Sequence, residues 1–176
     1  MMTILTEHLM LVPLTPAFLE STAVYAVGGE HIDMMVYFPK DSKEELAAYL
    51  QEAAAEFAKK RPAYLDFAVL CDGVHIGQVT MYFEGQENSP YGELGWIIRR
   101  EYRGHGYAVE AAEGLMQYFY RHGGLHRFIA ECDSENDASR RVIQKLGMTY
   151  IETHGGRKNR SSEEERLEEL YERYFP

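Results

Sequence analysis

The stretch Arg103-Gly104-His105-Gly106-Tyr107-Ala108 constrains this chain more than any other. Upstream of it, Glu93-Leu94-Gly95-Trp96-Ile97-Ile98 reads as a short buried strand. Downstream, Val109 to Tyr120 reads as a helix. A glycine-containing turn that leads from a strand into a helix is a ready anion site. The first backbone N–H groups of a helix lack intrahelical partners, and the dipole adds partial positive charge there. Together they favour a phosphate. Glycine lets the ligand approach without a Cβ in the way. The plainer alternative is an ordinary strand-to-helix turn.

The ligand is narrowed by what is missing. A dinucleotide loop wants Gly-x-Gly-x-x-Gly with an acidic residue about 20 positions on, but Val109 occupies the third glycine position. A nucleoside-triphosphate loop wants Gly-Lys-Ser/Thr, which is absent. The whole chain, residues 1–176, is expected to form one domain with a substantial core. No run approaches the roughly 18 apolar residues of a membrane span, and no signal-peptide pattern is read at the N-terminus. The formal charge of −10 argues against a nucleic-acid surface and is compatible with a cationic amine ligand. Cys71 and Cys132 each lie in an apolar run and read as reduced core residues. A cytoplasmic location is the default expectation.

Taken in order, His8 to Leu14 reads as a strand, and Thr15 with Pro16 opens a helix that Gly28-Gly29 stops. The following connection, Gly29 to Lys40, carries Met34, Met35, Tyr37 and Phe38. It is either a loop packed on the core or a wall of a substrate pocket. Ser42 and Glu45 form a capping-box pattern for a helix reaching about Lys60. Strands follow from Tyr64 to Cys71 and from Val74 to Phe83, joined at Asp72-Gly73. Gly77 marks a bulge or a close approach. Glu84 to Tyr91 reads as a loop. After the central helix, Gly123-Gly124 is a stop, Phe128 to Cys132 a strand, and Ser134 the cap of a helix reaching Lys145. Met148 to Thr153 reads as a strand and Gly155 to Ser162 as a basic loop. Local rules make the C-terminal segment a helix, from the spacing of Leu167, Leu170, Tyr171 and Tyr174.

Four stretches carry a family resemblance: Glu93 to Ile98, Tyr102 to Ala111, Asn136-Asp137-Ala138-Ser139, and Lys145-Leu146-Gly147-Met148. They resemble the GNAT N-acetyltransferases, in particular the branch of the ribosomal-protein alanine N-acetyltransferases. Met148 stands where that branch usually has Phe. The resemblance implies a mixed α/β (α+β) domain. Its central, mostly antiparallel twisted sheet would have about seven strands, flanked by about four helices and splayed at the cofactor notch. It also implies a final strand, Leu170 to Phe175, paired in a hairpin with the one before it.

The resemblance further implies acetyl-coenzyme A as co-substrate, with no metal. Its pyrophosphate would lie on Gly104, His105, Gly106, Tyr107 and Ala108, with Arg103 nearby. The pantetheine would run along Trp96, Ile97 and Ile98, and Asn136 and Ser139 would lie near the reactive end. Glu93 is the candidate base, its alternative being a solvated strand-end glutamate. Ser139 is the candidate acid, its alternative being a contact to coenzyme A alone. The residue where many relatives carry a Tyr acid is Ile143. His122, His126 and His154 read as scattered rather than as a metal set. The implied activity is acetyl transfer to a primary amine: a protein N-terminus, an amino acid, a polyamine or an aminoglycoside. Small-molecule or peptide amines are the implied partners, with no nucleic acid and no membrane; a homodimer is allowed, but no residue pattern selects one. The rival readings are a non-catalytic acyl-coenzyme A-binding sensor on the same scaffold and a nucleotide-binding regulatory module.

Overall fold

The computed structural model describes residues 2–28, 32–85 and 90–176. Among the described residues, eight strands form one sheet: β1 (Ile4–Leu5), β2 (Leu9–Pro13), β3 (Tyr64–Cys71), β4 (Val74–Glu84), β5 (Tyr91–Ile98), β6 (Arg127–Asp133), β7 (Thr149–Lys158) and β8 (Glu165–Tyr174). Their spatial order is β1-β2-β3-β4-β5-β6-β8-β7. Every neighbouring pair is antiparallel except β5 with β6. Four helices flank the sheet: α1 (Leu19–Ala26), α2 (Lys43–Glu56), α3 (Tyr107–Gly123) and α4 (Asp137–Lys145).

Strand alternation divides the sheet into two chemically different faces. The register aligns Phe67, Val79 and Trp96 in one row and Leu65, Met81 and Leu94 in the next. This apolar face packs against Ala111, Ala112, Leu115 and Met116 of α3 in the larger core. The intervening residues form the other face: Asp66, Thr80 and Gly95 in one row, Tyr64, Tyr82 and Glu93 in the next. Helices α1 and α2 cover part of that face through Tyr25, Ala26, Leu46 and Leu50, packed on Ala68 and Ile97.

Local chemistry accounts for most element ends. Ser42 accepts a 3.1 Å hydrogen bond from Glu45 N, while Glu45 Oε2 reaches back to Asp41 N rather than to Ser42. Asp72 and Gly73 both take positive φ in the β3–β4 hairpin. Gly77 is both a close approach and the neighbour of a bulge: a Cβ there would lie 2.1 Å from the Ile97 carbonyl oxygen, and the β3–β4 register shifts at Val69/Leu70. Glu110, on the first turn of α3, ties down the β1–β2 turn by accepting from His8 N at 2.6 Å and Thr6 Oγ1 at 2.5 Å.

Several boundaries differ from the sequence reading. A short strand, Ile4–Leu5, brings the sheet to eight. The segment after Thr15 begins as a 3-10 turn, Pro16–Phe18, before α1 starts at Leu19. Helix α2 ends at Glu56, whose carboxylate accepts from Ala63 N at 2.9 Å and from Lys59, folding the chain back into β3. The cap of α4 is Asn136, not Ser134: its Oδ1 accepts from Ser139 N at 3.1 Å. Strand β7 continues through Gly155 to Lys158, because Arg157 and Lys158 pair with Arg166 and Glu165 beyond a bulge. The C-terminal segment is strand β8, flanked by β6 and β7, so two-sided pairing overrides its helical spacing. Positions 86–89 of the Glu84–Tyr91 loop, and positions 29–31, lie outside the described residues.

Because Ile97 O occupies the space a Cβ would need, Gly77→Ala is expected to lower stability by about 2–3 kcal/mol. A urea-unfolding midpoint unchanged from wild type would contradict the close approach.

Candidate active site

Parallel pairing between β5 and β6 covers only Tyr91↔Arg127, Gly92↔Phe128 and Glu93↔Ile129. Beyond Glu93 the strands part, while β5 stays paired to β4 as far as Ile98. The β5 edge from Leu94 to Ile98 is therefore left without a strand partner on its β6 side. Buried backbone polar groups require partners, so this edge is a candidate docking strip for an extended ligand.

The strip forms one wall of a cavity of about 600 Å³. The opposite end of that cavity is the turn into α3. Gly104 and Gly106 both have positive φ (82° and 85°), and a Cβ built on either meets nothing within 4 Å. Gly106 is the N-cap of α3, and no side chain caps that end. The first N–H groups of α3 thus face open space, in the arrangement that accepts a phosphate. Arg103 Nε donates to Ile98 O at 2.9 Å, fixing the guanidinium beside the strip. Trp96, Ile97, Ile98, Arg103, Gly104, Gly106, Tyr107 and Ala108 all line this cavity, with Asn136 and Ser139 from α4. His105 does not; its ring lies against the carbonyls of Tyr102 and Arg103 and stacks on Tyr107 at 5.6 Å.

A second cavity of about 480 Å³ continues on the polar face of the sheet. Met34, Met35, Trp96, Ile97, Asn136 and Ser139 line both cavities and mark their junction. The second is walled by Met34 to Phe38, by Gln78, Thr80 and Tyr82 of β4, and by Glu93, Glu131 and Glu168. Its wall is strapped down: Arg157 Nη2 donates to Met34 O at 2.9 Å, Arg160 N to Met35 O at 2.8 Å, and Ser161 Oγ to Asp33 O at 2.7 Å.

A family model for the GNAT acetyltransferase domain matches residues 8–149. The chain belongs to the GNAT acetyltransferase family. It is 32% identical over 133 residues, covering 74% of each chain, to an uncharacterized N-acetyltransferase of Bacillus subtilis, YnaD. A GNAT acetyltransferase structure from Bacillus anthracis superposes with a TM-score of 0.81 at 23% identity, covering 98% of both chains. RimL, a ribosomal L7/L12 α-N-protein acetyltransferase solved with coenzyme A, superposes with a TM-score of 0.84 at 16% identity, again over 98% of both chains. The fold matches the expected mixed sheet, and the family makes this chain an acetyl-coenzyme A-dependent acyltransferase.

In this GNAT chain the expected residues divide between the two cavities. Glu93 lies in the second cavity only, on the last paired residue before the strands part. Its pKa is pushed up to about 7, first by burial, then by the carboxylates of Glu131, Glu168 and Glu84, with Arg157 acting the other way. Ile143 is fully buried and lines neither cavity, so the helix offers no acid at that position. The Met34–Phe38 segment satisfies both readings at once: Phe38 is core, and the segment is also cavity wall.

The sequence reading passed over Glu131, Glu168, Thr80, Gln78 and Tyr82. The available signal was strand alternation, since each falls on the face that carries Glu93. His154, set aside among the histidines, pairs across β7–β8 with Glu168. One ligand atom each from Glu131, His154 and Glu168 lie within 4.8 Å of one another.

A side chain at Gly106 would enter the space before the α3 N-terminus. Gly106→Val is thus expected to abolish detectable acetyl-coenzyme A binding in calorimetry, while the left-handed φ alone costs about 1–2 kcal/mol of stability. Retained affinity would remove the phosphate role of the turn. Glu93 has a folded pKa of about 7, above its unfolded value of about 4.3. The folded state therefore holds the proton longer, and stability falls as pH rises between those values. Glu93→Gln should be more stable than wild type by about 2 kcal/mol above pH 7, with the gap closing towards about pH 4. A pH-independent difference would contradict the half-buried, repelled carboxylate.

Proposed function

We propose that this chain transfers the acetyl group of acetyl-coenzyme A to a primary amine by direct attack. The observation that carries this reading is the junction. A trough runs from the bare N-terminus of α3, along the unpaired β5 edge, to a half-buried carboxylate on the same strand. A pyrophosphate at Gly104 to Ala108 and an extended arm along Trp96 to Ile98 would bring a thioester to the shared wall of the two cavities. There Asn136 and Ser139 meet the acceptor side.

Glu93 takes a proton from the ammonium form of the acceptor, directly or through one water. A pKa near operating pH suits that task. The nitrogen lone pair attacks the thioester carbonyl, and a backbone N–H of the unpaired β5 edge steadies the oxyanion. Collapse breaks the C–S bond. The remaining extra proton on nitrogen passes to the leaving sulfur, with the Ser139 hydroxyl as relay. The products are an amide and coenzyme A.

The test is Glu93→Gln under saturating acetyl-coenzyme A. Its kcat for amine acetylation should fall by about 10²–10⁴, and the rising limb of kcat/KM near pH 7 should vanish, with acetyl-coenzyme A affinity unchanged. Wild-type kcat with an unaltered pH profile would rule Glu93 out as the base.

A further inference from the structure

We infer that Thr80 holds the attacking nitrogen as a hydrogen-bond acceptor beside Glu93, and that the buried Asp66 is a positioning residue that keeps Thr80 in that role. This rests on the acetyl-transfer reading above and adds two residues to its site.

The first observation is placement. Thr80 on β4 stands opposite Gly95 on β5, and Tyr82 opposite Glu93. Thr80 and Glu93 are therefore diagonal neighbours on one face, with Cβ atoms roughly 7 Å apart. Both line the second cavity, as do Gly95 and Tyr82. Gly95 leaves the space over the strand open. A Cβ built there would lie 3.4 Å from Tyr82 Cε2 and 3.7 Å from Thr80 Cβ, in ordinary contact. The result is a notch about the size of a methyl group, or of an amine nitrogen, walled by Thr80, Tyr82 and Glu93. It lies on the unpaired β5 edge, which the thioester arm would follow.

The second observation is hydrogen-bond direction. Asp66 stands opposite Thr80 on β3, is 1% exposed and lines neither cavity. Burial pushes its pKa up to about 6, with the hydrogen bonds from Thr80 and Tyr49 and the charge of Lys40 acting the other way. At neutral pH it is thus ionised, and an ionised carboxylate only accepts. Its Oδ2 accepts from Tyr49 Oη at 2.5 Å, and its Oδ1 from Thr80 Oγ1. Behind Tyr49, Tyr25 Oη donates to Gln78 Oε1 at 3.1 Å, and Gln78 Nε2 donates to Tyr49 Oη at 3.2 Å. The donors of this chain all run towards Asp66. Thr80 has one hydroxyl proton, and Asp66 takes it. What Thr80 offers the cavity is lone pairs alone.

An ammonium acceptor meets both groups. It gives one proton to Glu93, and one N–H of the neutral amine that remains points to Thr80 Oγ1. That second bond fixes the nitrogen over Gly95 and leaves its lone pair free for the thioester carbonyl. Fixing a nucleophile in its attacking orientation supplies part of the rate. The transfer itself is the one written above: no bond forms to Thr80, and Asp66 exchanges no proton. An asparagine could not replace Asp66 in this task. With Tyr49 donating to its amide oxygen, its NH2 group would face Thr80 and turn the hydroxyl proton into the cavity.

The experiment is a double-mutant cycle. It follows coenzyme A release with propylamine, benzylamine and glycinamide, using whichever reacts fastest. Thr80→Val is expected to lower kcat/KM for the amine by about 10–100-fold, with the KM for acetyl-coenzyme A unchanged; Thr80→Ser should recover most of that loss. Asp66→Asn should lose activity to a similar extent, and should add no further loss in the Thr80→Val background. Gly95→Ala, which fits the protein but fills the notch, should raise the KM of the amine. Wild-type kcat/KM in Thr80→Val, losses from Thr80→Val and Asp66→Asn that multiply, or an unchanged amine KM in Gly95→Ala would overturn the inference; if Glu93→Gln is still impaired, acetyl transfer stands. Failure of every amine to release coenzyme A, with acetyl-coenzyme A bound, would overturn both.

Discussion

The arrangement depends on one interrupted interaction. Strands β5 and β6 are hydrogen-bonded for three rungs and then part, immediately after Glu93 and Ile129. A parallel pair that continued would satisfy its own backbone and leave no room between the strands. By stopping there, the sheet exposes the β5 edge from Leu94 to Ile98 in its interior rather than at its margin. Backbone groups left without a strand partner in such a place suit a ligand with an extended, hydrogen-bonding arm. The α3 helix starts a few residues downstream of the same strand, so its uncapped N-terminus is positioned by the element that carries the strip.

The second organising constraint is the period of two along each strand. It sends Leu65, Met81, Leu94 and their neighbours to α3 and sends Asp66, Thr80, Glu93 and Glu131 to the other side. Carboxylates gathered on one half-buried face repel one another and are desolvated together, which raises Glu93 and Glu131. The stability so lost is the counterpart of a carboxylate poised near neutral pH, a pattern expected at functional sites. The strap from Arg157, Arg160 and Ser161 to the carbonyls of residues 33–35 holds the cavity wall in place without using cavity-facing side chains of β4 or β5.

Much of this was legible in the residues. The Asp72-Gly73 hairpin, the Ser42 cap, the Gly124 and Gly147 stops and the turn before α3 are local devices, and local devices read directly. The four motif stretches pointed to the family, and of their expected ligand-binding residues all but His105 line the larger of the two cavities, while Glu93 lines the other. What escaped was non-local. Glu131, His154 and Glu168 converge only because β8 inserts between β6 and β7, and nothing near any one of them signals the others. Ser134 is a good capping residue by type, but Asp133 turns inward, accepting from Glu135 N, Arg166 and Asn159, and the helix starts later, capped by Asn136. The spacing of Leu167, Leu170, Tyr171 and Tyr174 is helical; the final strand was legible only through the family resemblance, and pairing with β6 and β7 is what makes it a strand.

The central claim is that the unpaired β5 edge is the cofactor's docking strip. Amide hydrogen exchange with and without acetyl-coenzyme A tests it most directly. The account predicts new protection at Leu94 to Ile98 and at Gly104 to Val109, with β7 unchanged. Saturable binding that leaves Leu94 to Ile98 exchanging as in the free protein would contradict it.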